Sequence, residues 1–187
     1  MILSQERLVG LPVIDLGLEA VVGQTTGVVI DPDDLKIVAL EINGAKFLQV
    51  ENIREIVAEG IAINSEEVLA MRGESVRLDK VLELDFSLIG HKVMTKKGTN
   101  LGKVLEFMIN TENFLIQQIV VKRPPLKALV DAELVIGRSE ITEVDDEKVI
   151  VKDEERKIRE KARTEDFVPN FVNPFRQNGV FSLEKEE

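Results

Sequence analysis

The sequence predicts a mostly β protein in which two small β-barrels follow one another along the chain. Three observations lead to this prediction. Apolar residues occur in short, β-branched runs, turn residues interrupt these runs at regular intervals, and one long segment matches another about 80 residues away. Short apolar runs bounded by Gly, Asn, Asp or Pro are typical of strands. Several such strands at regular spacing favour a small barrel or sandwich.

The internal repeat relates residues 8–63 to residues 88–153. The segment LVG at Leu8 aligns with LIG at Leu88, VGQTTGVVID aligns with LGKVLEFMIN at an offset of 79, and IREIVAEGIAI aligns with ITEVDDEKVIV at an offset of 88. The second copy is therefore about nine residues longer between matched blocks, and the extra length falls in residues 124–131. An insertion of this kind is typical of a surface loop.

The repeat divides the chain into four regions. Residues 1–63 form the predicted first barrel, residues 64–87 a connector with a short helix, residues 88–152 the second barrel, and residues 153–187 a C-terminal region. A copy of roughly 60 residues is near the lower limit for an independent hydrophobic core. Each barrel is therefore expected to be supported by its neighbour or by flanking segments.

The connector is predicted to be structured. Asn64 stands where it can cap a helix of at most two turns, and Gly73 is positioned to end it. The chain is predicted to return to extended structure at residues 76–78. Because apolar residues continue as far as Phe86 and need burial, the two barrels are predicted to pack against each other through the connector.

Short turns are predicted at corresponding places in the two copies. Residues 31–34 and residues 110–113 are predicted hairpin loops, and a further tight connection is predicted at residues 145–148. Residues 1–7 are predicted to form a lead-in strand or arm, and Gly10 is predicted to turn the chain into the first barrel.

The C-terminal region is predicted to contain a charged helix followed by an extended aromatic tail. Residues 153–165 carry acidic residues first and basic residues later, an order that suits the helix dipole. Pro169 and Pro174 interrupt any helix in the tail. Two interpretations of the tail stay open: it covers its own protein, or it docks on a partner. The predicted partner-binding residues are Phe167, Phe171, Phe175 and Phe181.

Both copies resemble a known family. Each begins with the pattern Leu-x-Gly-x-x-Val, at Leu8 or Leu88, and continues with a Gly-led strand, two hydrophobic strands, and VENI at Val50 or RSEI at Arg138 before a last hairpin. This pattern resembles the PRC-barrel, a domain named after the photosynthetic reaction centre H subunit and also found as the C-terminal half of the RimM ribosome maturation factor. The resemblance implies a compact β-barrel that serves as a docking module. It brings no general set of catalytic residues.

No catalytic, cofactor-binding or metal-binding residue is predicted. Residues 31–34 read DPDD but do not fit a calcium loop, because Lys36 stands where glycine is required. Residues 23–27 lack the Lys-Ser/Thr pair of a phosphate-binding loop. His91 is the single histidine and the chain has no cysteine, so a zinc site built from these ligands is not expected.

The charge distribution bears on partners and location. The chain carries 34 acidic and 24 basic residues, and the acidic surplus is concentrated in residues 1–63. An acidic surface repels phosphate backbones, so nucleic-acid binding is disfavoured. The sequence contains no apolar run of membrane-spanning length and no secretory signal, which predicts a cytoplasmic protein. A homodimer stays open. The second copy has a basic cluster, interpreted as solvated strand-edge lysines: Lys92, Lys96, Lys97 and Lys103.

The expected function is that of a non-enzymatic, prokaryotic adaptor that binds other proteins through its barrels, with the aromatic tail as a further candidate contact. Reactive groups at workable spacing are the usual signature of an enzyme, and none stands out in the sequence. The alternative is a factor similar to RimM that acts in maturation of the small ribosomal subunit. An enzyme that uses Glu51 and Glu140 is a third reading.

Overall fold

The computed structural model describes residues 1–57, 59–125 and 132–152, all within one compact unit, Met1–Asp153. This part of the chain is mostly β, as predicted. Its two short helices are α1 (Gln5–Leu8) and α2 (Val76–Leu82). Its strands are β1 (Ile2–Ser4), β2 (Pro12–Asp15), β3 (Ala20–Asp31), β4 (Lys36–Ile42), β5 (Lys46–Gln49), β6 (Ile53–Val57), β7 (Gly60–Ile63), β8 (Leu69–Met71), β9 (Lys92–Thr95), β10 (Asn100–Asn110), β11 (Ile116–Lys122), β12 (Glu133–Gly137), β13 (Ile141–Val144) and β14 (Lys148–Val151).

The strands form two sheets, and six strands of each follow the same order. The first sheet runs β6-β7-β2-β3-β4-β5-β8, and the second runs β13-β14-β9-β10-β11-β12, with β1 added beside β10. One pair in each sheet is parallel, β2 with β7 and β9 with β14. Among the described residues no pairing joins the two end strands of either sheet. The two predicted barrels are therefore seen here as two open sheets, which we call the first and second halves.

Irregularities in the strand pairing occur at corresponding places in the two halves. The long strands β3 and β10 each contain two register shifts against their hairpin partners. A bulge bends its strand and increases the local twist, so β3 and β10 bend at matching points. The shifts lie between Thr25 and Gly27 and between Val29 and Ile30 in β3, and between Val104 and Glu106 and between Met108 and Ile109 in β10.

A glycine turns the chain into each half in the same way. Gly10 and Gly90 both have a φ of +87°, a conformation that glycine adopts without steric strain. The Gly10 N–H donates to the Thr25 carbonyl, and the Gly90 N–H donates to the Val104 carbonyl, each at 2.8 Å. The turn predicted at Gly10 is confirmed.

The hydrophobic core is one large cluster with buried residues from both halves. Full burial of a Leu, Ile or Phe side chain stabilises the fold by roughly 1.5–3 kcal/mol before the loss of conformational entropy. Ile, Leu, Val and Phe side chains, most of them from strands, fill this core. Its largest fully buried members are Leu8, Ile37, Leu40, Ile42, Leu48, Ile61, Ile63, Leu88, Phe107, Ile109, Ile116 and Ile119.

The predicted lead-in strand is confirmed, but it pairs with the opposite half. β1 precedes the first half in the chain and pairs antiparallel with β10 of the second half, with Leu3 opposite Ile109. Leu8, the last residue of α1, is fully buried in the common core. The N-terminal segment therefore ties the two halves together.

The connector differs from the prediction at two places. The expected helix near Asn64 is a single 3-10 turn, Glu66–Val68, and Ser65 rather than Asn64 caps it, accepting the Glu67 N–H at 3.3 Å. The extended structure predicted at residues 76–78 is wrong, because α2 begins there. The Ser75 hydroxyl accepts the Leu78 N–H at 3.4 Å, which supplies the N-cap that the prediction overlooked.

The helix α2 packs on the first half. Its Leu78 and Leu82, one helical turn apart, contact a small cluster that includes Ala39 and Phe47. The halves do pack against each other, but the hydrogen bonds that join them come from β1, from two hairpins and from the Arg138 side chain rather than from the connector.

Some of the remaining predictions concern residues that the structure describes, and others concern residues outside them. The predicted turns at residues 31–34, 110–113 and 145–148 are confirmed, because each lies where one strand passes into the next. Most of the inserted loop, residues 126–131, and the predicted charged helix and aromatic tail, residues 153–187, lie outside the described residues.

We expect Gly102→Ala to lower the free energy of unfolding by roughly 3 kcal/mol. Gly102 has a φ of +140°, and a Cβ atom there would overlap the backbone carbonyl of Lys122 in the neighbouring strand. Urea denaturation followed by circular dichroism measures the change. Gly137→Ala is the control, because the nearest atom to its added Cβ is Glu140 Oε2 at 3.7 Å. An equal loss in both variants would contradict the steric explanation.

Candidate functional site

The two halves meet at the tips of corresponding hairpins. The Ile37 N–H at the start of β4 donates to the Phe114 carbonyl at 2.9 Å, and the Ile116 N–H at the start of β11 donates to the Leu35 carbonyl at 2.9 Å. At the sequence offset of 79, Ile37 corresponds to Ile116 and Leu35 corresponds to Phe114. Each of the two bonds is therefore the counterpart of the other. Between them, Lys36 stands opposite Leu115 in an antiparallel bridge. We call this arrangement the reciprocal contact.

Unusual backbone conformations hold the reciprocal contact in place. Leu35 has a φ of +45° and Phe114 a φ of +58°, a region that large L-residues rarely adopt. Both side chains are buried, with 6% and 7% of their surface exposed. Burial of these side chains in the core offsets the backbone strain, because the left-handed turn is what points each of them inward.

Arg138 fills the space on one side of the reciprocal contact. Its Nη1 donates to the Leu35 carbonyl at 3.1 Å and to the Ile116 carbonyl at 3.3 Å, and its Nη2 donates to the Asp34 carbonyl. Arg138 begins the 3-10 turn Arg138–Glu140 that precedes β13. A guanidinium group presents several N–H donors in a fixed plane, which suits a set of converging carbonyl oxygens.

The other side of the reciprocal contact is an open groove. The residue that corresponds to Arg138 is Val50, which begins the matching 3-10 turn Val50–Asn52. Val50 makes part of the wall of a cavity of about 550 Å³. We call this cavity the inter-half groove. Its other walls include Ile53 and Ile56 from the first half and Thr111, Asn113 and Phe114 from the second.

Charged side chains surround the inter-half groove. Glu51, Glu55 and Glu112 contribute three carboxylates, and Lys36 and Arg54 contribute two cations. The Arg54 Nη1 donates to Asn64 Oδ1 at 3.3 Å. The groove therefore combines apolar walls with a small excess of negative charge.

A second cavity, of about 500 Å³, lies beside the start of the second half. His91 lines it, and its Nε2 is buried without a hydrogen-bond partner among the described residues. The Phe86 ring lies edge-on to the imidazole, with centroids 5.1 Å apart. Two cations, Lys92 and Lys103, and three carboxylates, Asp85, Asp146 and Glu147, line the cavity, so it has the same small excess of negative charge as the inter-half groove.

The hairpin turn between β2 and β3 is held by a buried carboxylate. Asp15 is 1% exposed. Its Oδ1 accepts the N–H groups of Gly17 at 2.7 Å and Leu18 at 3.0 Å, and its Oδ2 accepts the Glu66 N–H at 2.6 Å. The hydrogen bond from Leu18 is the main cause that holds the pKa of Asp15 below its usual range, and burial of the carboxylate acts in the opposite direction.

This buried carboxylate supports an apolar surface. Leu16 is 47% exposed, Leu18 is 61% exposed, and Val21 at the start of β3 is 64% exposed. We call these three residues the apolar hairpin. The corresponding turn between β9 and β10 exposes Lys96 and Lys97 instead.

The candidate residues named from the sequence lie in different parts of the structure and have different roles. Asp31 accepts the Asp33 N–H at 3.1 Å, so it stabilises a turn. Glu140 accepts the Gly137 N–H at 2.8 Å, also a structural role, whereas Glu51 lines the inter-half groove. His91 lines the second cavity. Phe167, Phe171, Phe175 and Phe181 lie outside the described residues.

Sequence reasoning missed Asp15, Val50 and Arg138 as site residues. An Asp before Leu-Gly-Leu is a weak turn signal, and the roles of the other two depend on contact between halves that are distant in the chain. The difference between VEN and RSE at matching positions was visible in the sequence. The effect of this difference on the contact between the halves is seen only in the folded chain.

The described residues contain no group of three or more His, Asp or Glu side chains arranged to hold a metal ion. In the same residues, neither helix has the length and apolar character that crossing a membrane requires.

The fold and the site define a β-sheet protein with two halves of like topology joined by a reciprocal contact. Residues 82–158 match the family model of the PRC-barrel domain. The chain therefore contains a PRC-barrel domain, which spans the predicted second copy, as the sequence pattern indicated. No curated protein matches the chain.

We expect Arg138→Met to lower the free energy of unfolding by about 2 kcal/mol, because the substitution removes three hydrogen bonds from a charged donor to backbone carbonyls. Arg54→Met is the matched control. It removes one exposed hydrogen bond to Asn64 and is expected to change stability by less than about 0.5 kcal/mol. Chemical denaturation compares the two. A larger loss in the Arg54 variant would contradict the role given to Arg138.

We expect the stability contributed by Asp15 to depend on pH. The pKa of the folded state lies below the ordinary value of 3.8, so the contribution is present above that pH and is lost as pH falls through the folded pKa. Asp15→Asn lacks this titration. The difference in melting temperature between wild type and variant should therefore be largest near neutral pH and should shrink below about pH 4. A difference that is constant with pH would contradict the assignment.

Proposed function

We propose that this protein is a non-enzymatic cytoplasmic adaptor that binds other proteins through two PRC-type halves. In this proposal residues 1–63 form a second PRC-type barrel beside the domain at residues 82–158. The same strand order, the matching parallel pair and the matching bulges of the two sheets support that assignment. Bulge positions are specific to a fold, because each one bends its strand at a particular place.

The observation that carries the adaptor function is the apolar hairpin. Exposed apolar side chains at a tight turn are unfavourable in water, and clusters of them commonly mark protein-binding surfaces. Here Leu16 and Leu18 lie in a turn whose backbone is fixed by the buried Asp15 carboxylate, and exposed Val21 follows at the start of β3. A fixed surface loses little conformational entropy when it binds, which favours affinity.

The two halves present different surfaces at this position. Leu16 and Leu18 occupy the turn in the first half, and exposed Lys96 and Lys97 occupy it in the second. An adaptor that brings unlike partners together requires such a difference. The phenylalanines of residues 167–181 remain a predicted additional contact.

A pulldown with the full chain tests the proposal. We expect the double substitution Leu16→Ser and Leu18→Ser to reduce recovery of specific partner proteins from the native host about tenfold, which corresponds to a loss of about 1.4 kcal/mol in binding. Leu105→Ser is the matched control, because Leu105 is another exposed leucine, 44% accessible, in strand β10.

Three results would count against the adaptor. Equal recovery with both variants would remove the role of the apolar hairpin, and absence of any specific partner would remove the adaptor function itself. Recovery of small ribosomal subunit components, sensitive to the double substitution, would favour the ribosome-maturation alternative.

A further inference from the structure

The reciprocal contact has two sides, which are formed by matching residues of the two halves. The two sides differ in what fills them. On one side Arg138 of the second half enters the space and donates to backbone carbonyls of Asp34 and Leu35. On the other side the corresponding residue is Val50, and the space is the inter-half groove of about 550 Å³. The chain thus contains one occupied and one open version of the same site.

We propose that the inter-half groove binds the guanidinium group of an arginine side chain on a partner protein, in the way that its counterpart binds Arg138. The inference rests on the proposed adaptor function in taking the partner to be a protein. It adds a second binding surface, separate from the apolar hairpin.

The backbone provides the first argument. Asn113 and Phe114 correspond to Asp34 and Leu35, the residues whose carbonyls accept from Arg138. Both line the inter-half groove. The bonds from Ile37 to Phe114 and from Ile116 to Leu35 join matching donors to matching acceptors, so the hairpin backbones make the same contact on the two sides.

Charge provides the second argument. On the Arg138 side, the positions that match the groove wall carry three acidic residues, Asp33, Asp34 and Glu143. The inter-half groove carries the same number, Glu51, Glu55 and Glu112, so both sides offer carboxylates to a cation. A guanidinium that reaches carbonyl oxygens among carboxylates forms charge-assisted hydrogen bonds, which are stronger than neutral ones.

The two cations in the wall do not take the place of Arg138. Arg54 is directed to Asn64 by a hydrogen bond of 3.3 Å. Lys36 lies at the bridge opposite Leu115, and an ammonium group on a flexible stem does not provide the planar set of donors that Arg138 uses. Leu115 is the residue that corresponds to Lys36, so Lys36→Leu makes the groove resemble its occupied counterpart and removes a competing charge.

The test uses the full chain and two small probes, N-acetyl-arginine amide and N-acetyl-citrulline amide, titrated in the millimolar range and followed by the backbone amide signals in NMR. Citrulline has the shape of arginine without its charge. We expect saturable shifts at Asn113, Phe114 and Ile53 with the arginine probe, and binding of the citrulline probe at least about tenfold weaker. Lys36→Leu should strengthen binding of the arginine probe several-fold.

Two arginine variants complete the test. Val50→Arg supplies the missing arginine from the chain itself, so it should raise the melting temperature and abolish binding of the arginine probe. Leu105→Arg adds an arginine at an exposed leucine of β10 outside the groove and should retain binding, which controls for the added charge.

The proposal is overturned if the arginine probe causes no saturable shifts at the groove, if the citrulline probe binds equally well, or if Val50→Arg still binds the probe. These results would leave the adaptor function intact, because that function is measured by the pulldown with the apolar hairpin variants. Absence of any specific partner in the pulldown with the unaltered chain, together with retained arginine binding, would reject the adaptor function alone.

Discussion

The arrangement of this protein depends on the pair of backbone hydrogen bonds between Ile37 and Phe114 and between Ile116 and Leu35. Backbone groups buried at an interface must find partners, and here each hairpin tip satisfies the other. The left-handed turns at Leu35 and Phe114 place their own side chains in the core. The same few residues therefore join the halves through the backbone and fill the core with their side chains.

Outside the two hairpins, the elements that pack on the first half differ from those that pack on the second. β1 reaches across from the N-terminus to extend the second sheet, while α2 covers part of the first. Arg138 closes one side of the hairpin contact and Val50 leaves the other side open. The difference between Arg138 and Val50 at matching positions thus gives a nearly symmetric contact one filled and one accessible site. An interface that already holds arginine on one side is suited to accept arginine on the other.

The two halves also differ in the surfaces of their corresponding turns. The strands and bulges of the two sheets correspond, but the turn after β2 exposes leucines and the turn after β9 exposes lysines. Turns tolerate such changes because their side chains contribute little to the core. The buried Asp15 keeps the leucine turn ordered. The scaffold is thereby shared while the binding surfaces diverge.

The sequence by itself determined the strand-rich fold, the hairpin turns, the lead-in strand and the PRC-barrel pattern of the second half, because periodicity, turn residues and glycines act locally along the chain. It did not determine α2, where the Ser75 cap and the spacing of Leu78 and Leu82 outweighed the expected extended conformation. Tertiary structure alone decided the partner of β1, the reciprocal contact and the distinct roles of Arg138 and Val50. Each of these depends on contacts between backbone and side-chain groups from distant parts of the chain. A local sequence pattern does not predict such contacts.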